Sequence, residues 1–263
     1  MGRSRHPWAL RNTAPLTCLL LSLTPLLGGC GLIAAPPAPE GRLVVASKNR
    51  LDTVDPAGAY TFGAMQLLSA IGDTLYTIHA NGRLEPRLAV GLPRVSPDGL
   101  KARVSLRRGV RFHDGTAFDA AAMVFTLQRF LAIGKLSYLL GDRVASVRAT
   151  GSHEIELTLK RPYGALPQLL SAVNLTPLSP TAYRQHSRRL LNERFVGTGP
   201  YRLASFSDQK QRLDPFPGYW SRRPANSGLD LVALSNSTAL FGALQSGEVD
   251  VLLSTSLEID QQA

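Results

Sequence analysis

Cysteine is nearly missing: the 263 residues hold two, Cys18 and Cys30. That excludes a small domain stapled by several disulfides and any cysteine-rich zinc site, because no CxxC spacing exists. Lysine is scarce as well. Five lysines stand against 24 arginines, and with 19 acidic residues the formal charge is +10. Arginines never run longer than two and few aromatics interleave with them, so the positive charge does not form a nucleic-acid-binding stripe. Motifs for covalent, metallopeptidase, nucleotide or dinucleotide chemistry are missing too: there is no GxSxG, HExxH, P-loop or GxGxxG. The five histidines, His6, His79, His113, His153 and His186, stand singly and read as surface or hydrogen-bonded core residues rather than metal ligands. His113-Asp114 invites a catalytic dyad. The flanking Phe112 and Gly115 instead mark a strand end and a tight turn, where Asp114 bonds the turn backbone. Neither a cofactor nor a metal is expected, and the chain is not expected to be an enzyme.

One apolar stretch is long, Ala14 to Gly29, and it carries no charge. Interrupted by Pro15 and Pro25, it is short for a membrane span, which takes about 20 residues. Arg3, Arg5 and Arg11 precede it, and Gly28-Gly29 close it. A basic start, a short apolar run and a small-residue end describe a secretory signal peptide over residues 1–29; a buried core helix is the other reading. Removing residues 1–29 takes away those three arginines and no acid, changing the formal charge from +10 to +7. Residues 30–41, rich in proline and alanine, read as a tether, and 42–263 as one globular domain. Hydrophobic residues make up 44% of the chain, enough for a packed core without disulfides.

Patterning in the domain mixes strands with helices. Arg42–Ala46 is a strand candidate. Ala64, Leu67, Leu68, Ile71 and Leu75 recur at helical spacing and predict a helix over about residues 62–76. Ala102, Val104 and Leu106 alternate with polar residues, as do Ile155, Leu157 and Leu159. Asp119 is placed to cap a helix whose Met123, Val124, Leu127, Phe130 and Leu131 share a face. A hairpin is expected from Tyr201 to Phe216 around Ser207-Asp208, then a strand Leu229–Leu234, a helix Ala239–Gln245 closed by Gly247, and a last strand Val249–Leu253.

Several short elements recur in an order that carries meaning. Leu51-Asp52-Thr53-Val54-Asp55-Pro56 is followed by Asp73-Thr74-Leu75-Tyr76, by Asn81-Gly82-Arg83-Leu84-Glu85-Pro86-Arg87-Leu88-Ala89, by Ser96-Pro97-Asp98-Gly99 and by Leu106-Arg107-Arg108-Gly109-Val110-Arg111-Phe112-His113-Asp114-Gly115. Then come Gly197-Thr198-Gly199-Pro200-Tyr201, Tyr219-Trp220 and Leu244-Gln245-Ser246-Gly247-Glu248-Val249-Asp250. Together, from about Arg42 to the end, they resemble extracytoplasmic solute-binding proteins of family 5, the peptide- and nickel-binding components of ABC importers. Leu27-Gly28-Gly29-Cys30 resembles the bacterial lipoprotein signal, in which the cysteine thiol takes the lipid; a Cys18–Cys30 disulfide is the alternative. The chain departs from the family pattern at Ala120-Ala121-Ala122, where an acidic helix start is usual, and at Leu92, where tryptophan is frequent.

The resemblance implies an α/β fold of the periplasmic-binding-protein type II kind: the first lobe with its inserted subdomain, the second lobe largely absent. The family is longer, which leaves a fragment, a frameshifted product and a degenerate homologue as readings. It implies a lipid-anchored extracytoplasmic protein, held to a bacterial membrane through Cys30, that hands peptide or another small solute to ABC permease subunits without catalysis. A truncated or degenerate interaction lipoprotein is the alternative. In the family the loop after the opening aspartate-proline reaches the cleft, which points to Tyr60, Thr61 and Phe62; a tyrosine past the second helix points to Tyr138. The plainer reading of Tyr60 and Phe62 is that they staple their loop to the adjoining helix.

Overall fold

The computed structural model describes residues 41–253. The leader, Cys18, Cys30 and nearly all of the Pro/Ala segment lie outside the described residues. In chain order the elements begin with β1 (Leu43–Ser47) and α1 (Phe62–Ile71). Helix α1 starts where Thr61 accepts a hydrogen bond from the Ala64 backbone N–H, a side-chain cap. It stops short of the expected residue 76. Gly72 is extended, with no room for a Cβ against Thr176, and Asp73 is drawn into a buried polar cluster. Leu75 is buried, but as the residue before a strand and not as part of the helical stripe.

The hairpin β2 (Tyr76–Ile78) and β3 (Leu84–Pro86) turns at Gly82, whose φ is 78°. Strand β4 (Arg94–Val95) pairs with β5 (Lys101–Ser105) across Gly99, at φ 71°. Both are left-handed positions that favour glycine. The expected Asp119 cap is present, its carboxylate 2.8 Å from the Ala122 N–H, and opens α2 (Ala120–Ile133). A short α3 (Tyr138–Gly141) leads into β6 (Val144–Gly151), which the sequence pattern did not suggest because two bulges break its alternation. Then follow β7 (Glu154–Leu159), the short helices α4 (Leu166–Leu169) and α5 (Pro180–Tyr183), and the hairpin β8 (Tyr201–Phe206) with β9 (Lys210–Pro215). Last come β10 (Leu229–Ala233), α6 (Ser237–Gln245) and β11 (Val251–Leu253). Gly247 closes α6 as expected, at φ 75°.

Two sheets organise these elements. Four antiparallel strands in the order β4-β5-β7-β6 turn Ala102, Val104, Ile155, Leu157 and Leu159 onto α2, which answers with Met123, Leu127 and Phe130. The outer face of this sheet is not plainly solvated. Glu156 is only 2% exposed, because Arg103 (2.8 Å) and Arg148 (2.6 Å) reach across it from both neighbouring strands. Those hydrogen bonds, Arg103's first, hold its carboxyl below the ordinary glutamate range.

The second sheet has the order β11-β1-β10-β9-β8. Here β1 runs parallel to both β10 and β11, and the other pairs are antiparallel. Helix α1 packs Leu67, Leu68 and Ile71 with Leu213, Leu229 and Leu231 on one face. Helix α6 packs Leu240 and Ala243 with Val44, Ala46, Val232 and Leu252 on the other. The alternation of β1 and β10 therefore divides their side chains between two cores.

The Gly197–Tyr201 turn joins the two halves. His113 N–H donates to the Gly197 carbonyl (2.8 Å) and Gly199 N–H to the Ile71 carbonyl (3.2 Å). Gly199 is not among the glycines with positive φ, in keeping with the extended geometry Pro200 imposes on it. Its requirement is contact: a Cβ would fall inside the carbonyl carbon and oxygen of Ile71. We expect Gly199→Val to cost about 3 kcal/mol by overpacking. Gly41→Val, with nothing within 4 Å of the new Cβ, should leave the urea midpoint where it is. Equal midpoints for the two variants would show that the turn is not a structural joint.

Candidate functional site

In an open α/β sheet, small ligands bind outside the carboxyl ends of parallel strands, where successive connections leave in opposite directions. The large sheet has such a point. From β1 the chain eventually places β10 on one side, and from β10 it crosses to place β11 on the other. The register sets Ser47 beside both Ala233 and Leu253, so the three strands end level. Beyond Ser47 lie the exposed Lys48 and the half-buried Asn49; beyond Ala233 come Ser235 and Asn236. Asn236 caps α6 by accepting from Ala239 N–H (2.8 Å), and Lys48 Nζ donates to Ser237 Oγ (3.3 Å). Sequence patterning does not single out Lys48 or Asn236. The signal available is their place directly after a strand or before a helix.

The loop between β1 and α1 supplies the aromatic part. Tyr60 is 53% and Phe62 51% exposed, so about half of each residue's surface is left open. Thr61 lies between them with its hydroxyl committed, accepting from Ala64 N–H (3.3 Å) and donating to Asp52 Oδ1 (3.2 Å). It aims its neighbours and offers no free hydroxyl. Lys135 Nζ sits 4.2 Å from the centroid of the Tyr60 ring, and Lys135 N–H donates to the Ala57 carbonyl (2.8 Å). That pair of contacts holds the Tyr60 loop to the segment leading into Tyr138, which opens α3 and is 57% exposed.

Beneath the loop is a buried ion pair. Arg129 Nη1 and Nη2 donate to Asp55 Oδ1 (2.8 Å) and Oδ2 (2.6 Å), a two-pronged contact with both side chains almost wholly buried. Asp55 also accepts from the N–H of Ala57 (3.0 Å) and of Leu191 (2.8 Å). Asn174 donates to the Pro56 and Ala59 carbonyls at 3.0 and 2.6 Å. The backbone carrying Tyr60 is thus pinned from three directions.

A second cluster gathers residues from four of the sequence elements. Asp73, buried, accepts from Arg87 Nε (2.6 Å), Tyr219 Oη (3.2 Å) and Trp220 Nε1 (2.8 Å), with Thr198 Oγ1 at 3.4 Å. Burial, then the Asp73 charge, push the Tyr219 hydroxyl well above the ordinary phenol range, so it stays a donor. His113 is no catalytic base. Its Nε2 meets the Gly199 carbonyl (3.1 Å), its ring lies edge-on to Phe216 (5.0 Å between centroids) and Phe195 (6.0 Å), and its Nδ1 is buried with no partner. Asp114 bonds the turn, accepting from Thr116 N–H (3.0 Å), and accepts from Ser179 Oγ (2.5 Å).

A sheet switch point covered by helices on both faces is joined here to a smaller antiparallel sheet, and the solved structures that share this arrangement are type II periplasmic binding proteins. A substrate-binding protein of an ABC transporter from Sinorhizobium meliloti matches with a TM-score of 0.72 at 28% identity, over 80% of this chain and 42% of that one. The periplasmic binding protein DppA of Helicobacter pylori, solved with the peptide STSA, matches the fold with a TM-score of 0.74 at 24% identity, over 84% of this chain and 48% of its own. The sequence profile of the bacterial extracellular solute-binding proteins, family 5 middle, matches residues 83–263, and the chain belongs to that family. The glutathione-binding protein GsiB of Salmonella choleraesuis strain SC-B67 is 29% identical over 227 residues, which are 84% of this chain and 44% of that protein. GsiB of Escherichia coli O1:K1 / APEC is likewise 29% identical, over 231 residues. The chain thus spans less than half the length of the curated relatives it matches.

The setting of His113 makes the joint between the sheets sensitive to acid. Desolvation lowers its pKa to about 4, helped by Arg202 and opposed by the Gly199 bond and by Asp114. An unfolded chain binds this proton near about pH 6.5, the folded chain only near 4. Stability from the neutral ring is therefore complete above pH ~6.5 and is lost as pH falls from there towards 4, on the order of 3 kcal/mol in all. Urea midpoints at about pH 7 and pH 4.5 should differ less in His113→Gln than in the parent. An equal loss in both would show that the ring does not resist protonation.

Proposed function

We propose that the chain is the lipid-anchored, extracytoplasmic solute-binding component of an ABC-type importer, or the part of it that carries one wall of the solute site. It takes peptides and passes them to permease subunits without catalysis. One observation carries this reading: the half-exposed aromatics Tyr60 and Phe62 stand on a pinned loop that leaves a strand ending at the sheet switch point. Aromatic faces pack against the side chains of an extended peptide. Lys48, exposed at the same edge, supplies a cation for a carboxylate. Glutathione, which the GsiB relatives are named for binding, is itself a small peptide with carboxylates, and it fits this combination.

Two-lobed binding proteins close by a hinge over their ligand. One wall alone leaves the solute wet on its far side, so this chain should bind glutathione and mixed short peptides more weakly than about micromolar by calorimetry. What binding there is should fall in Tyr60→Ala, Phe62→Ala and Tyr138→Ala. Submicromolar binding, or binding indifferent to all three variants, would place the site elsewhere.

The membrane part of the proposal rests on the sequence. Residues 1–29 act as the signal peptide, Cys30 becomes the lipidated first residue of the mature chain, and 30–41 tether the 42–263 domain. More than one acyl chain on Cys30 would give firm anchoring, whereas a single chain is marginal. Expressed in a bacterial host, the chain should sediment with membranes and begin at Cys30, and Cys30→Ser should release it. A soluble parent chain that retains residues 1–29 would defeat this part and leave the solute site untouched.

A further inference from the structure

Three arginines on the outer face of the small sheet are matched to carboxylates. Arg103 and Arg148 share Glu156, and Arg94 takes Glu154. At the end of β5 the matching stops. Arg107 and Arg108 open into a cavity of about 660 Å3, whose walls are the end of β5 with Val90 and the β6–β7 turn carrying Ser152, His153 and Glu154. Among the described residues, neither arginine has a carboxylate within ion-pair distance. Glu154, the cavity's one acid, is taken by Arg94 and by Thr150 Oγ1 (2.9 Å).

Arg107 is also held ready. Its guanidinium carbon lies 4.5 Å from the centroid of the Trp220 ring, and its Nε donates to the Arg87 carbonyl (2.9 Å). Contact with the Trp220 ring and an anchor at Nε hold the guanidinium in place while its two terminal nitrogens have no acceptor among the described residues. A planar fork fixed in this way suits two oxygens of one oxyanion, and the ordering cost of a long side chain is already met. Arg108, exposed beside it, adds a second positive charge.

We propose that this cavity is an oxyanion-binding site, distinct from the switch point, that takes a ligand with two or more carboxylate or phosphate groups. Arg107 holds one group by its two terminal nitrogens and Arg108 attracts another. No residue of this cavity lies on β1, β10, β11 or the Tyr60 loop, so the site stands or falls independently of the solute reading.

Trp220 reports on the test, since the only other tryptophan is Trp8. In the full chain carrying Trp8→Phe, citrate and inorganic phosphate serve as free probes, and a tetraglutamate peptide as carboxylates carried on a polypeptide. Each is titrated at low ionic strength by Trp220 fluorescence and calorimetry. We expect saturable binding that Arg107→Lys weakens about tenfold, because lysine keeps the charge and loses the fork. Arg108→Gln should weaken it about threefold and Arg188→Gln, an exposed arginine elsewhere, not at all. Tighter binding of the peptide would assign the site to acidic segments of a protein, and tighter binding of citrate or phosphate to a free anion; both support it. No saturable change with any probe would overturn the proposal, as would equal weakening by Arg188→Gln and Arg107→Lys. If Arg107→Lys fails to fold, Arg108→Gln against Arg188→Gln decides, and equal affinities there would overturn the proposal as well.

Discussion

The buried pair of Asp55 and Arg129 is the contact on which the arrangement depends. Taking two charges out of water costs several kcal/mol per ion unless geometry and further hydrogen bonds offset it. Here both carboxylate oxygens accept from the guanidinium and from a backbone N–H, and Arg129 donates again to the Arg189 carbonyl (2.7 Å). Three remote stretches of chain meet at this pair: the loop before α1, the helix of the small sheet, and the strap around residues 189–191. Removing one partner would strand the other charge in an apolar interior. The exposed Tyr60 and Phe62 are held in place by that necessity.

The scarcity of lysine takes on meaning at this level. Arg129 grips with two prongs, Arg87 reaches a buried carboxylate and a tyrosine together, Arg107 sits over an indole, and Arg42 ties β1 to Asp214 (2.7 Å) and Asp230 (2.8 Å). Each contact uses a plane with several fixed donors, which an ammonium group does not offer. Part of the positive balance of the composition is thus a structural tool spread through the fold, with carboxylates set against Arg42, Arg87, Arg103, Arg129 and Arg148 among others.

Local chemistry is legible in the order of residues alone. Asp119 caps its helix, Gly82, Gly99, Gly109 and Gly115 take the left-handed positions their turns require, and Ile155, Leu157 and Leu159 share the core face of their strand as their alternate spacing predicts. Such features depend on neighbours within a few residues. Arg129 is legible only in part. It falls on the helix face of Ala122, Thr126 and Phe130, and a charge on an apolar stripe signals a buried partner without saying which. The end of α1 is misleading in the sequence because Leu75 continues the helical spacing; Thr176, far along the chain, fills the space at Gly72 that the helix would need.

The candidate site divides in the same way. Tyr60, Thr61, Phe62 and Tyr138 are reached through resemblance to a family, and the structure shows three of them exposed and Thr61 occupied as a cap. That Asp73, Arg87, Thr198, Tyr219 and Trp220 form one cluster cannot be read from their spacing, although the elements carrying them are each recognisable. By itself the sequence determined turns, caps and the faces of strands and helices, which rest on short-range sterics and periodicity, and its ordered motifs carried the resemblance to the family. The tertiary structure alone decided which buried charge meets which, why Gly199 tolerates no side chain, and where the strands end together. Those are contacts between segments tens to hundreds of residues apart, and no local pattern encodes the distance between them.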